Sequence, residues 1–236
     1  MDANSSTGGP SMAHGNHPRE SFWQSTKSLS ASFWMISLAC VLGYCSILPF
    51  TSVFVAIKPS GLNQQTASQV VSIPFLLCAL LTPFLGKFVD RFGKAAWVAT
   101  SSSFLLCLAH SMFSSYNHVI VMIILGFAYA GFVASVWPLV PLAVEEHHVG
   151  LGYGIMTALQ NTGLTIVPLM IALIKHESGS YDTTRWLFLV LSSGTLVVSM
   201  WLANELPGLT SRNHRDSCAA DLKTEPLAAQ AESHYS

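Results

Sequence analysis

Five stretches of this chain contain no Asp, Glu, Lys or Arg: residues 28–57, 59–86, 95–144, 147–174 and 186–204. Each is rich in Leu, Ile, Val, Phe and Ala and ends against charged or polar residues. A helix needs roughly 20 apolar residues to cross a bilayer. Four of the runs hold one such helix each. The third is long enough for two and is divided by the polar break Ser114-Ser115-Tyr116-Asn117-His118. The pattern predicts six transmembrane helices, over 33–56, 68–87, 95–113, 119–143, 152–174 and 184–204, and so an all-α membrane protein. A buried soluble core accounts for one such run, hardly for five.

Composition agrees: 51% of residues are hydrophobic and 10% charged, against about 25% charged in soluble domains. Residues 1–30 are polar and rich in Ser, Gly, Pro and His, and read as a disordered lead. Residues 206–236 read as a disordered tail, which leaves 31–205 as the helical bundle. The lead lacks the apolar centre of a signal peptide, so the first span is expected to direct insertion. With six spans the termini share one side. That side holds Arg19, Lys27, Lys87, Arg91, Lys94, Arg212, Arg215 and Lys223, whereas the other holds Lys58, Lys175 and Arg185. The positive-inside rule then places both termini in the cytosol, and the sequon Asn4-Ser5-Ser6 is expected to be unmodified. A net charge of −1 gives no electrostatic case for a nucleic-acid partner. Cys40, Cys45, Cys78, Cys107 and Cys218 form neither an even-spaced framework nor a metal pattern.

No Asp, Glu, Lys or Arg lies within the membrane core of a predicted span, and no phosphate-binding loop, zinc pattern or nucleophile elbow is present. Intramembrane catalysis and ion coupling generally place such groups at depth, so no catalytic residues, metal ligands or cofactors are expected. His110, near the end of the third span, reads as an interfacial, hydrogen-bonded histidine. Ser101-Ser102-Ser103 are expected to bond back to helix carbonyls. Prolines interrupt the spans at Pro49, Pro74, Pro83, Pro138, Pro141 and Pro168. Bent helices leave carbonyls that neighbours or a water-filled cavity must satisfy. Gly126, Gly131 and the Gly150/Gly154 pair read as close-packing positions, and Tyr153 as an anchor at the membrane interface.

Between the second and third spans lies the basic turn Gly86-Lys87-Phe88-Val89-Asp90-Arg91-Phe92-Gly93-Lys94. It resembles the loop signature of the major facilitator superfamily. In that pattern the first Gly permits two helices to approach closely. The Asp answers helix-end partial charges or basic side chains, and the second Gly allows the reversal. The family usually ends the motif with two basic residues, whereas Lys94 is followed by Ala95. Further along, Trp137-Pro138, Glu145-Glu146-His147, Tyr153-Gly154 and Gln160-Asn161-Thr162-Gly163 occur in an order similar to that of the family's lysosomal dipeptide transporter branch. Gly43-Tyr44-Cys45-Ser46-Ile47-Leu48-Pro49-Phe50 is similar to that branch's seventh helix. The resemblance covers about residues 30–205, as the second six-helix half of a twelve-span carrier with substrate held between halves.

The resemblance implies a transporter, or half of one, moving dipeptides or similar small solutes across the lysosomal membrane by alternating access. Tyr44, Trp137, Gln160 and Asn161 are its candidate substrate-binding residues, supplying the amides and aromatic faces a peptide needs in an apolar cleft. Adjacent helix positions diverge by about 100°, so one of Gln160 and Asn161 is expected to face the cavity. Gly86, Asp90, Arg91, Gly93 and Lys94 carry the structural motif. Expected partners are a dipeptide, the bilayer, a missing six-helix half or a second copy of the chain, and a membrane accessory subunit. The alternative reading is a truncated, non-transporting membrane scaffold that pairs with other membrane proteins.

Overall fold

The computed structural model of the chain describes residues 22–57, 63–113, 117–179 and 183–206. Most of the polar lead, the tail from residue 207, Asn4, Cys218 and the break at 114–116 lie outside the described residues. The helices are α1 (Phe22–Lys27), α2 (Ala31–Ile57), α3 (Gln64–Phe92), α4 (Ala95–Met112), α5 (His118–Val136), α6 (Val140–Ala143), α7 (Val149–Ser178) and α8 (Thr183–Leu206). A 3₁₀ turn at Trp137–Leu139 joins α5 to α6, and another at Glu146–His148 leads into α7. Six helices are long and apolar enough to cross a membrane, counting α5–α6 as one. The end of the lead departs from the expected disorder, because α1 is helical and Leu29 is buried in the core.

Helix ends follow local chemistry. Asn63 caps α3 by accepting the Thr66 N–H at 2.8 Å. Gly93 ends α3 in the left-handed region (φ 62°), with its N–H donated to Val89 O at 2.8 Å. The helix therefore runs through most of the basic motif, and the link to α4 is only Gly93 and Lys94. Nothing before Gly93 obliges the chain to stop: Lys87 and Arg91 are exposed at the helix end, where long side chains reach water.

α5 packs against both α3 and α4, and α2 packs against α7, α3 and α5. α8 is tied to α4 by Thr100 Oγ1, which donates to Ser199 O at 2.9 Å, and by the Ser103–Ser199 hydroxyl pair at 3.2 Å. Ser101 and Ser103 also bond back to Trp97 O and Ala99 O, as expected. The core forms two clusters along the bundle. One centres on Phe33, Ile36, Phe132 and Met156, the other on Ile47, Phe54, Leu125 and Phe188. Against the second cluster His110 is buried and hydrogen-bonded: its Nε2 lies 2.8 Å from Ser46 Oγ and its ring stacks on Phe188. The cysteines in the helices are free.

Small residues set several contacts, though not all those the sequence suggested. Gly126 meets Leu77 and Pro74 of α3, and Gly131 meets Ser102 of α4. Gly163 rests against Val41 and Cys45 of α2, where a Cβ would stand 2.7 and 2.8 Å from their side chains. By contrast a Cβ on Gly150, Gly154 or Gly86 would meet nothing within 4 Å. The Gly150/Gly154 pair therefore makes no close packing within this bundle, and neither does Gly86.

Candidate functional site

The fourth span breaks where two prolines follow Trp137. Proline lacks the N–H that would bond four residues back, so Pro141 leaves Trp137 O without its α-helical donor. Two groups replace it: the Val140 N–H, which closes the 3₁₀ turn, and the Tyr153 hydroxyl of α7, which donates at 3.3 Å. Pro49, Pro74, Pro83 and Pro168 sit inside helices that continue past them.

This break aims the Trp137 indole across the bundle. Its Nε1–H donates to Tyr44 Oη at 2.8 Å, and its ring stacks on Tyr153 with centroids 6.1 Å apart. Tyr44 is buried, and its ring meets Tyr129 and Phe132 of α5 edge-on at 6.2 and 5.9 Å. Tyr129 in turn meets Phe75 of α3 at 6.1 Å. The result is a continuous aromatic band running from α3 through α5 and α2 to α7. Two of the four candidate binding residues, Tyr44 and Trp137, are thus brought into direct contact. Tyr153, read from sequence as an interface anchor, belongs to their cluster, and Tyr129 was not singled out at all.

The other two candidates stand further along α7. Gln160 is half-buried and Asn161 exposed, with Asn161 Nδ2 donating to Thr157 O at 3.0 Å. With about 100° per residue, α7 divides into three faces. Met156, Gly163, Val167 and Ile171 turn toward the bundle, and three of them are buried. Leu159, Ile166 and Leu173 make an exposed apolar face. Gly154, Thr157, Asn161 and Thr165 make a third face that is exposed yet polar or small. Gln160 lies between that third face and the bundle. α3 is similar in kind: Ser68, Gln69, Ser72 and Ala79 are exposed along it.

The motif residues gather at one end of the bundle. Asp90, Arg91, Gly93 and Lys94 are exposed and Gly86 is half-exposed. Among the described residues Asp90 makes no ion pair. Lys94 borders a cavity of about 320 Å³ that also touches Leu139, Leu142 and Leu206. The α3–α4 link and the end of the fourth span therefore share one end of the bundle.

The family model described as Major Facilitator Superfamily matches residues 26–228. A protein named lysosomal dipeptide transporter MFSD1 from Homo sapiens is 32% identical over 189 residues, covering 77% of this chain and 40% of that protein. Its counterpart in Gallus gallus is 32% identical over 194 residues, covering 77% and 42%. The Danio rerio protein of the same name is 31% identical over 157 residues, covering 65% and 34%. The chain spans about two-fifths of the length of the curated relatives it matches.

Proposed function

Since the chain belongs to the major facilitator superfamily, we propose that its six helices form one wall of a pathway carrying dipeptides or similar small solutes across the lysosomal membrane. A second bundle would supply the opposite wall, with access alternating as the two rock against each other. The observation that carries this reading is the polar third face of α7, with Asn161 exposed at its centre, eight residues along the helix from the Tyr153 that stacks on Trp137. Amides facing lipid are costly, because hydrocarbon offers no partners. A water-filled cleft or a facing bundle removes that cost.

Within the cleft, Asn161 and Gln160 would bond the peptide backbone. Trp137 would offer its ring face to a side chain or an ammonium group, held in position by its bonds to Tyr44 and Tyr153. Asp90 and the other residues of the α3–α4 link would act at the cytosolic surface, on the moving interface rather than on substrate. Gly86, Gly150 and Gly154 are open within the bundle, which suits close approach by helices of the second one. Both termini would be cytosolic.

A chimera tests this. Residues 22–206 replace the matching segment of the human relative, and labelled dipeptide uptake is followed in proteoliposomes. Uptake above empty liposomes is expected. Trp137→Ala and Asn161→Ala should each reduce both uptake and the dipeptide-dependent rise in Tm, since stabilisation follows the logarithm of ligand over dissociation constant. A folded, correctly inserted chimera indifferent to dipeptides would count against the substrate class. The exposed faces of α3 and α7 also fit a scaffold that pairs with another membrane protein, and that reading predicts stable association without uptake.

A further inference from the structure

The linker between the fourth and fifth spans carries a donor set that the transport reading leaves unused. Glu145 Oε2 lies 3.4 Å from His147 Nε2 and 4.0 Å from His148 Nδ1. The three ligand atoms all fall within 4.8 Å of one another. In a tetrahedral site with bonds of about 2.0–2.1 Å, ligand atoms sit roughly 3.3 Å apart. One pair already has that separation, and binding requires rotation of the exposed Glu145 and His147 side chains to close the others. We propose that Glu145, His147 and His148 bind a zinc-type divalent cation at the cytosolic end of the bundle.

The backbone holds the donors in place without a metal. Glu145 is extended, and the following 3₁₀ turn is closed by the His148 N–H, donated to Glu145 O at 2.9 Å. Upstream, Ser30 Oγ donates to Ala143 O at 2.6 Å and ties the start of the linker to the corner between α1 and α2. His148 is the anchored ligand, its side chain only 11% exposed, whereas His147 and Glu145 are 63% and 73% exposed and free to close on an ion. Beside them lies a hollow of about 200 Å³, lined in part by Ser28, Ser30, Glu145 and His148. It leaves room for water or a small anion at the open coordination position.

The donor types select the ion. Two imidazoles and one carboxylate suit zinc and its transition-metal neighbours, while calcium and magnesium favour all-oxygen shells. Glu145 and Glu146 also place two carboxylates ahead of α7, opposing the partial positive charge of its N-terminus. Such an ion would clip the end of the fourth span to the start of the fifth. Those spans carry Trp137 on one side and Tyr153 and Asn161 on the other, so the clip would restrain how the two can separate.

The test uses the purified 236-residue chain in lipid nanodiscs with no affinity tag. Cobalt(II), whose visible absorption reports coordination, is titrated in and then displaced by zinc. One high-affinity equivalent with a tetrahedral-type spectrum is expected, displaced by zinc and untouched by magnesium. Glu145→Gln and His147→Gln should each weaken binding about ten-fold or more while leaving the metal-free Tm unchanged. His176→Gln removes another described histidine with an acidic neighbour, at 3.7 Å from Glu177, and should change nothing. Zinc should also slow amide exchange at residues 145–149 in the unsubstituted chain and not in His147→Gln. Binding of equal strength in both linker variants, or displacement by magnesium, would overturn the proposal.

Discussion

The first and fourth spans and the second and fifth are all long and apolar, yet they behave as two different kinds of helix. In α2 and in α5–α6, 67% and 61% of the most apolar window is buried inside the bundle; in α3 and α7 the share is 11% each. The first pair is the interior of the molecule, built from Phe33, Ile36, Phe54, Met122 and Phe132. The second pair is its outside. An outside made only for lipid would be apolar all round. α7 instead sets Thr157, Asn161 and Thr165 on one exposed face and Leu159, Ile166 and Leu173 on another. Hydropathy measures the oil solubility of a helix; only its division into faces reveals whether a further surface is waiting for protein or water.

The largest effect expected from this contrast is all-or-none. The chain reconstituted alone should give no dipeptide uptake above empty liposomes, while the chimera that adds a second bundle should transport. Self-pairing that completed a pathway would appear as robust uptake by the short chain.

Next in size are substitutions at glycines of α7. Gly163→Leu forces a side chain into Val41 and Cys45 of α2. Overpacking of this kind costs about 1–3 kcal/mol and occasionally more, so thermal scans in detergent should show a clear loss of Tm. Gly150→Leu and Gly154→Leu enter open space and should leave the Tm of this chain unchanged, yet reduce uptake by the chimera. Equal destabilisation at Gly150 and Gly163 would erase the distinction between the inner and outer faces of α7.

A smaller effect is expected at the aromatic band. Tyr44→Phe keeps the ring but removes the acceptor of the Trp137 Nε1–H. Loss of one such bond to a half-buried group costs about 1 kcal/mol, and Trp137 fluorescence should shift as the indole loses its fixed partner. Smallest of all, Asn161→Ala should change the stability of the chain by no more than about 0.5 kcal/mol, as exposed positions usually do, although it sits mid-span. A large destabilisation would mean that Asn161 holds this bundle together rather than facing outward from it.

Much of the architecture is legible in the sequence. The charge-free runs located all six spans, because a bilayer penalises every charge inside it. Their ends were less clear. The charges of the basic motif suggested a nine-residue turn from Gly86 to Lys94, but charge at a helix end is compatible with helix. Only the left-handed Gly93 stops α3. Prolines gave no ranking either. Six looked alike in sequence, and the one break falls at Trp137–Leu139, where two come close together and the Tyr153 hydroxyl from another helix takes up a freed carbonyl. The role of Tyr153 in the aromatic cluster was hidden for the same reason: its position near a span end says interface, and its partner Trp137 lies outside its own helix. The pairing of Tyr44 with Trp137 and the gathering of Glu145, His147 and His148 depend likewise on backbone geometry that local periodicity does not encode.

The account rests on the third face of α7 meeting protein or water rather than lipid. Single nitroxide labels at positions 154 to 173 of the chimera in nanodiscs, compared for collision with lipid-soluble oxygen and with a water-soluble nickel complex, measure that face by face. Labels at Leu159, Ile166 and Leu173 are predicted to collide mainly with oxygen. Those at Thr157, Asn161 and Thr165 are predicted to be shielded from oxygen and either buried or open to nickel. Oxygen contact as high at Asn161 as at Ile166 would place the polar face in lipid and contradict the account.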